Sequence, residues 1–532
     1  MTALITYSVH IDTARTGLFA APIDDVTTYV SSARFMHGMQ NAYEEVSPPA
    51  MGGFDLINHD GRFDVENPAA LYYDKLLRGT LVRVRAIHNG VTTQLYVGSI
   101  RQVMPSLGEG REKRVSLICE CPMNALLQAE YKPALQESVT ADVAIQPIFD
   151  TAVITYPYAG TFWLLGVAGH SELGVTTTLY DHDVTDFDTG VTIFEFVGDN
   201  LGGEGGLAAQ TFIRDYVAAE LGGRFFFDAR AGKFKFHNRH RDLLNMTIAA
   251  TFNRQDAERI EPVYGDDVYN KVTIHFRPRD VGAAATVLWS QTNLPISLGE
   301  FATRKITARY RDPDNPSARV GGSDFIEPTP GLDLVVNVRE DASGSDQTHR
   351  VNMSVIFGAS SADISITNTW DRTLYVQTLQ VRGTPLTIYD KQYVTAVNGE
   401  SIGMNGLIEE TYQLNALSDA DLAQSYANLL VERFGTPGTR VARLTFDANQ
   451  SPDFAVKALF RTIGDQIQLA DTPTRNYTLI GEEHEIIGGA NPDVPAVHLA
   501  TWVLQPRDNR YNYWLLGVQG FSELGATTRL AL

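Results

Sequence analysis

The chain has almost no cysteine: two in 532 residues, Cys119 and Cys121. Two positions apart on a strand, they point to one face. Their Cα atoms then lie about 6.5 Å apart with nearly parallel Cβ vectors, which is poor disulfide geometry. Such scarcity fits a chain made in a reducing compartment, and a lone CxC pair is a weak metal signal. Positive charge is also short. Lys and Arg number 43 against 63 Asp and Glu, a formal charge of −20. That argues against a general nucleic-acid binder, which needs a basic surface to displace counterions from phosphate. There is no run of 18 apolar residues, so no membrane span is expected. The opening MTALITYSVHIDTART has no basic region followed by an apolar core, so no signal peptide is expected. Catalytic motifs are missing too: no GxxxxGK[ST] phosphate loop, no GxSxG elbow, no HExxH zinc helix. No catalytic, cofactor-binding or metal residue is assigned, and the chain is read as a non-enzyme.

What is present is a phrase written twice. Trp163 to Leu179 read WLLGVAGHSELGVTTTL, and Trp514 to Leu530 read WLLGVQGFSELGATTRL, 13 of 17 positions being identical. A separation of 351 residues is far from the roughly 20 to 50 of a solenoid repeat. Trp163, Leu164, Leu165 and Leu173, with Trp514, Leu515, Leu516 and Leu524, make two apolar anchors broken by glycines. They read as clips for assembly: either local hairpins over exposed core, or segments that dock into equivalent grooves. Exposed, they would be an aggregation hazard.

Hydrophobic residues make up 44% and charged residues 20%, a globular balance. The length implies three or four domains. Short runs rich in Val, Thr, Tyr and Phe between Gly, Asn and Asp predict a mainly β chain with minor α. Residues 80–88 and 91–101 alternate with period two around an Asn89-Gly90 turn, and 114–121 follow as a third strand. In 210–221, Phe212, Ile213, Tyr216 and Val217 form a helical stripe that Gly222-Gly223 ends. Arg224–Asp228 and Lys233–His237 predict a hairpin, with Phe225 and Phe227 on one face and Phe234 and Phe236 likewise. Short strands through 291–380 are spaced as in a β-sandwich. A helix is predicted over 419–434, with Ser418 as N-cap and Gly435 as stop.

The polar clusters have plain readings. Glu482-Glu483-His484-Glu485 reads as a solvated strand, and His237 to Asp242 as a polar strand exit paired with nearby acids. Asp181, Asp183, Asp186 and Asp188 supply enough carboxylate for calcium, but not at EF-hand spacing; a solvated acidic loop is the simpler reading. Trp370 and Tyr375 are candidate surface-binding aromatics in the sandwich.

The order of segments resembles phage tail hub proteins and the hubs of contractile injection systems. GFDLINHDGRFDVENPAALYYDKLLRGTLVRVRAIHNGVTTQLYVGSI, residues 53–100, is similar to their first barrel, and RVSLICECPMNALLQ to the strand and helix that close it. AAQTFIRDYVAAELGGRFFFDARAGKFKFHNRHR, residues 208–241, is similar to their second domain. DVYNKVTIHFRPR and IGDQIQLADTPTRNYTLIGEEHEI are similar to parts of a second barrel. The resemblance implies two hub β-barrels, an α/β domain and an inserted β-sandwich. On it, 1–125 is the first barrel and 126–265 the α/β domain with the first clip at 163–179. The second barrel is 266–290 with 381–510, including helix 419–434; the insertion is 291–380 and the C-terminal clip 511–532. It further implies a homotrimer at the distal end of the tail, with six barrels in a ring below the tail tube. DNA would pass its lumen unbound. The implied partners are tail tube or distal tail protein, tape measure, and tip or fibre proteins, in a virion assembled in the host cytoplasm, with no cofactor and no membrane span. The alternative is a distal tail or receptor-binding module whose sandwich binds host-surface carbohydrate. A wall hydrolase would need paired carboxylates or a metal triad, and the sequence offers neither.

Overall fold

The computed structural model describes residues 4–106, 113–131, 133–150, 185–198, 207–245, 247–265, 267–471, 473–488, 496–507, 512–514 and 528–530. The chain is mainly β and builds several units. Twelve strands make one continuous sheet. In chain order they are β1 (Thr6–Ile11), β2 (Val30–Gly38), β3 (Met51–Ile57), β4 (Leu81–His88), β5 (Val91–Ser106), β6 (Arg114–Glu120), β7 (Ile248–Phe252), β8 (Arg259–Tyr264), β9 (Thr439–Asp447), β10 (Gln466–Leu469), β11 (Arg475–Ile487) and β12 (Val497–Pro506).

The sheet is two copies of one pattern. Pairing runs β1-β4-β5-β6-β3-β2 in the first half and β7-β10-β11-β12-β9-β8 in the second. All of these pairs are antiparallel in both halves, except that β7 and β10 run parallel where β1 and β4 are antiparallel. Even a bulge is repeated. The β5–β6 register skips between Ile100 and Gln102, and the β11–β12 register between Leu479 and Gly481. The halves join where β2 pairs antiparallel with β11, from Ser32↔Ile487 to Gly38↔Gly481. The backbones cross closely at that last pair. A Cβ on Gly481 would stand 2.0 Å from the Met39 carbonyl oxygen, and one on Gly38 would stand 2.4 Å from Ile463 Cδ1.

Local chemistry explains the strands. Alternation in β4 and β5 buries Val82, Val84, Ala86, Leu95 and Val97. Asn89 (φ 50°) and Gly90 (φ 79°) between them both take the left-handed conformation that a tight hairpin needs. The first half also curls toward closure. Val26 N donates to the Val9 carbonyl and Val9 N to Thr27 Oγ1, so the segment leading into β2 covers the outer side of β1.

Between the halves lie α1 (Ala141–Asp150), α2 (Ala209–Ala219) and the hairpin Arg224–Asp228 with Lys233–His237. Phe212, Ile213, Tyr216 and Val217 are buried, as the stripe predicts. In the hairpin Phe225 faces Phe236 and Phe227 faces Phe234, and Thr185–Phe187 adds in parallel. Phe226, on the other face, is buried as well. One hydrophobic core runs without a break through this unit and both halves of the sheet.

Strand assignment differs from the sequence reading in two places. Lys271–Phe276 is the centre of a separate three-stranded sheet, between Gln392–Val397 and Glu409–Gln413, covered by α3 (Ala420–Phe434) with its own core. It was expected in the second barrel. Instead β7 and β8, expected in the α/β domain, complete the second half. Alternation marks a strand but not the sheet it joins. The N-cap of α3 is Asp419, not Ser418: its carboxylate accepts from the amides of Asp421 and Leu422.

The insertion forms two facing sheets around a core of Leu288, Tyr310, Val336, Ile364, Val376 and Val381. In one, five short strands all pair with the long strand Leu374–Ile388; the other is Thr303–Arg309, Ser361–Asn368 and Val351–Phe357. Its strands run from Arg279 to Ile388, wider than 291–380.

Candidate functional site

The junction of the two halves carries the most concentrated buried chemistry among the described residues. Side chains from five parts of the chain meet there. From β11 come Glu482 and His484, from β12 His498, from β1 Tyr7, and from β2 Phe35 and His37. Arg230 enters from the turn of the phenylalanine hairpin, 252 residues before Glu482. Arg230 donates to the carbonyl oxygens of Ala458 (2.8 Å) and Leu459 (2.6 Å) near the end of α4 (Pro452–Phe460), and pairs with the Glu482 carboxylate. His484 Nε2 lies 3.1 Å from both Arg230 Nη2 and Glu482 Oε2. The row continues from His484 Nδ1 to His498 Nε2 (2.8 Å) and from His498 Nδ1 to the Tyr7 hydroxyl (2.9 Å). Phe35 stacks on the His484 ring.

All three histidines are shifted toward the neutral form, burial being the largest cause. Burial, then Arg230 and His37, push His484 well below its ordinary range; burial, then His484 and Arg230, do the same to His498. His37 is lowered by burial, although Glu482 and Asp228 pull the other way. Burial raises Asp228, but Lys235, His37 and the Ala231 amide outweigh it and keep the carboxyl low. The cluster is closed over by the described residues: Glu482, His484 and His498 are at most 2% exposed. Such a cluster can fix register and respond to protons.

The expectation of a solvated strand at 482–485 is therefore corrected. Glu482 and His484 share parity with buried Ile486, a signal that was there to read; their partners were not. In the 237–242 segment Arg241 pairs with an acid as expected, Asp188 (2.5 Å), whereas Asp242 is itself the acid that pairs with Arg224 and His237 is buried. Two cavities flank the second half. One of about 210 Å³ lies between Phe252, Ile260, Leu469, Arg475 and Tyr477. Another of about 70 Å³ is lined by Tyr43, Glu45, Arg433 and Phe434, and there burial lifts the Glu45 carboxyl to about 7 against the pull of Arg214.

The other candidate residues are scattered. Trp163, Leu164, Leu165 and Leu173 lie outside the described residues, as do Leu515, Leu516 and Leu524. Trp514 ends a short strand, Asn512–Trp514, paired in parallel with Thr528–Leu530. Asp181 and Asp183 also lie outside. Asp186 sits 3.6 Å from Lys235 Nζ, and Asp188 pairs with Arg241. Among the described residues no group of three or more His, Cys, Asp or Glu is placed to hold a metal ion, and no helix is long and apolar enough to cross a membrane. Trp370 is half-buried with the guanidiniums of Arg350 and Arg372 over its ring. Tyr375 is half-buried on the long strand, opposite Ser297 and Asn337. Cys119 and Cys121 are free and buried.

No family model matches the chain, and no curated protein matches it. Solved structures do. A tail protein from Neisseria meningitidis MC58 is 8% identical, covers 94% of this chain and 97% of its own, and has a TM-score of 0.45. The 43 kDa tail protein of prophage MuSo2 from Shewanella oneidensis is 7% identical, covers 94% and 98%, and has a TM-score of 0.46. An E. coli component of the type VI secretion system, described as similar to T4 tail proteins, is 11% identical, covers 66% and 73%, and has a TM-score of 0.23. These are the classes of protein, phage tail and type VI secretion, whose hubs the sequence resembles.

Proposed function

We propose that the chain is a structural component of a phage tail, a hub at its distal end that joins the tube to tip or fibre proteins. The observation that carries this reading is the duplicated sheet. A chain holding two equivalent halves joined edge to edge can present six equivalent units as a trimer, matching a tube end of sixfold character. The buried histidine and arginine cluster fits a junction whose role is positional. The formal charge of −20 suits a channel that DNA passes without adhering. Native mass spectrometry together with electron microscopy of the purified chain tests it. The expected particle is a trimer with six similar lobes around a lumen; a monomer at all concentrations refutes the hub.

The two clips then serve equivalent docking surfaces around that ring. A second reading gives the inserted sandwich a host-surface carbohydrate, favoured by the part-open ring of Trp370 between two arginines. Glycan-array binding lost in Trp370→Ala supports it; binding unchanged in that variant removes it.

A further inference from the structure

The inserted sandwich carries a platform at one end, where three of its loops meet: 299–302, 347–350 and 369–372. One buried side chain ties them. Asn368 is 1% exposed, and its amide donates to the carbonyl oxygens of Leu298 (3.2 Å), Gly299 (2.9 Å) and Arg372 (2.8 Å), while its Oδ1 accepts from the Trp370 amide (2.9 Å). Thr369 holds the remaining loop, donating to the Arg350 carbonyl from its amide (2.9 Å) and from its hydroxyl (2.7 Å). Phe301 stands out of this frame. It is 66% exposed, and its amide donates to the Trp370 carbonyl (3.3 Å). Its φ of 54° lies in the left-handed region that bulky residues avoid. A strained turn persists only where its surroundings over-determine it, and such turns collect at binding sites.

Two cations complete the platform. The guanidiniums of Arg350 and Arg372 lie 5.8 Å and 5.3 Å from the centroid of the Trp370 ring, within cation–π range. Both arginines are exposed. Among the described residues neither is paired with a carboxylate, although the exposed acids Glu300 and Asp371 are close in sequence. In a chain of formal charge −20, two neighbouring unpaired guanidiniums make a local field of the opposite sign. Their planar forks of N–H donors match a carboxylate or a phosphate. Trp370 thus holds the cations, and the open ring is Phe301, whose negative face attracts the C–H hydrogens of a sugar ring. Next along the same strands the outer face of the sheet presents polar groups. Thr303 and Thr367 stand opposite each other with hydroxyls 2.9 Å apart, and Asn352 is opposite Thr367 on its other side. We propose that this platform binds an acidic saccharide, with Phe301 stacked on a sugar ring and Arg350 and Arg372 engaging its carboxylate or phosphate. Binding of this kind deepens the carbohydrate reading of the insertion and rests on it; the hub is independent of it.

Biolayer interferometry of the full-length chain on immobilised polymers tests the platform. The probes are polygalacturonate, its methyl ester, a sugar-phosphate polymer and polyglutamate. The first two share a sugar backbone and differ in charge, while polyglutamate carries the charge without the sugar. The expected result is binding to polygalacturonate or to the sugar-phosphate polymer, the stronger of the two identifying the acid. Binding to the ester and to polyglutamate should be weaker by about tenfold or more. Arg350→Gln together with Arg372→Gln should weaken the binding by about tenfold or more. Phe301→Gly should weaken it as well while thermal stability is kept, because glycine takes a φ of 54° without strain. Equal binding to the ester, unchanged by the arginine substitutions, overturns the acidic preference and leaves the carbohydrate reading standing. Equal binding to polyglutamate overturns the saccharide. Binding that survives all three substitutions overturns the platform. No binding to any probe overturns the acidic saccharide, and a blank glycan array besides overturns the carbohydrate reading with it.

Discussion

Acidification is expected to open the seam between β2 and β11. His484 and His498 are neutral in the folded chain because burial and Arg230 disfavour their charged forms; in the unfolded chain they charge near 6.5. The folded pKa being the lower one, the stabilisation is complete above 6.5 and is lost as pH falls toward the folded value. Each such site costs about 1.4 kcal/mol for each pH unit below 6.5. From pH 7.5 to 5.5 the pair therefore costs about 3 kcal/mol, a large part of the roughly 5–15 kcal/mol that holds a domain folded. The groups facing the pair are Arg230, Glu482, His37, Tyr7 and Asn449, and none supplies a free carboxylate: Glu482 is engaged by Arg230. Hydrogen exchange resolved to β2 and β11 is the assay, because it separates the seam from other units. After correction for intrinsic rates, exchange through seam opening should be about a hundredfold faster at pH 5.5 than at 7.5. The His484→Gln, His498→Gln double variant should exchange faster than wild type at pH 7.5, having lost the ring contacts, yet show little further rise on acidification. Equal pH slopes in wild type and double variant, or slower exchange in acid, refute the reasoning.

Glu45 works in the opposite direction. Burial lifts its carboxyl to about 7 from an ordinary 4.5, so its contribution is complete below 4.5 and is lost as pH rises through 7. Glu45→Gln should therefore gain about 2–3 kcal/mol on wild type between pH 4.5 and 8, measured by denaturant titration at the two pH values. Trp502 is fully buried, edge-on to Phe252 and Phe446. Trp502→Ala should cost about 3–5 kcal/mol by the same titration. Trp502→Phe should cost less, because the indole N–H has no partner to lose among the described residues. Deleting residues 511–532 should weaken the proposed trimer in native mass spectrometry; assembly and attachment to neighbouring tail proteins surviving unchanged would reduce the C-terminal clip to a local hairpin.

What could be read from the sequence was local. Asn89-Gly90 announces the β4–β5 hairpin because few residues accept positive φ twice running. The stripe of Phe212, Ile213, Tyr216 and Val217 announces α2 because burial follows the helical period. The seam was not legible. Arg230 reaches Glu482 across 252 residues, and nothing near either residue names the other. Ser418 and Asp419 are both competent caps, and only the path of the chain selects Asp419. The duplication is hidden for a further reason: it resides in strand pairing, and the side chains at equivalent places have diverged. Where the second half has Glu482 and His484, the first has Val103 and Pro105.

That divergence follows from where the junction forms. β2 and β11 meet within one chain, so their encounter is guaranteed by connectivity. They can bury Glu482 and His484 opposite His37 and Phe35, whose desolvation gives little net stability, and a one-residue slip would turn that set to the other face. The stretch of β5 beyond its pairing with β4 has no such ladder to hold among the described residues, and Val103 and Pro105 at the equivalent places carry no charge that would need a buried partner.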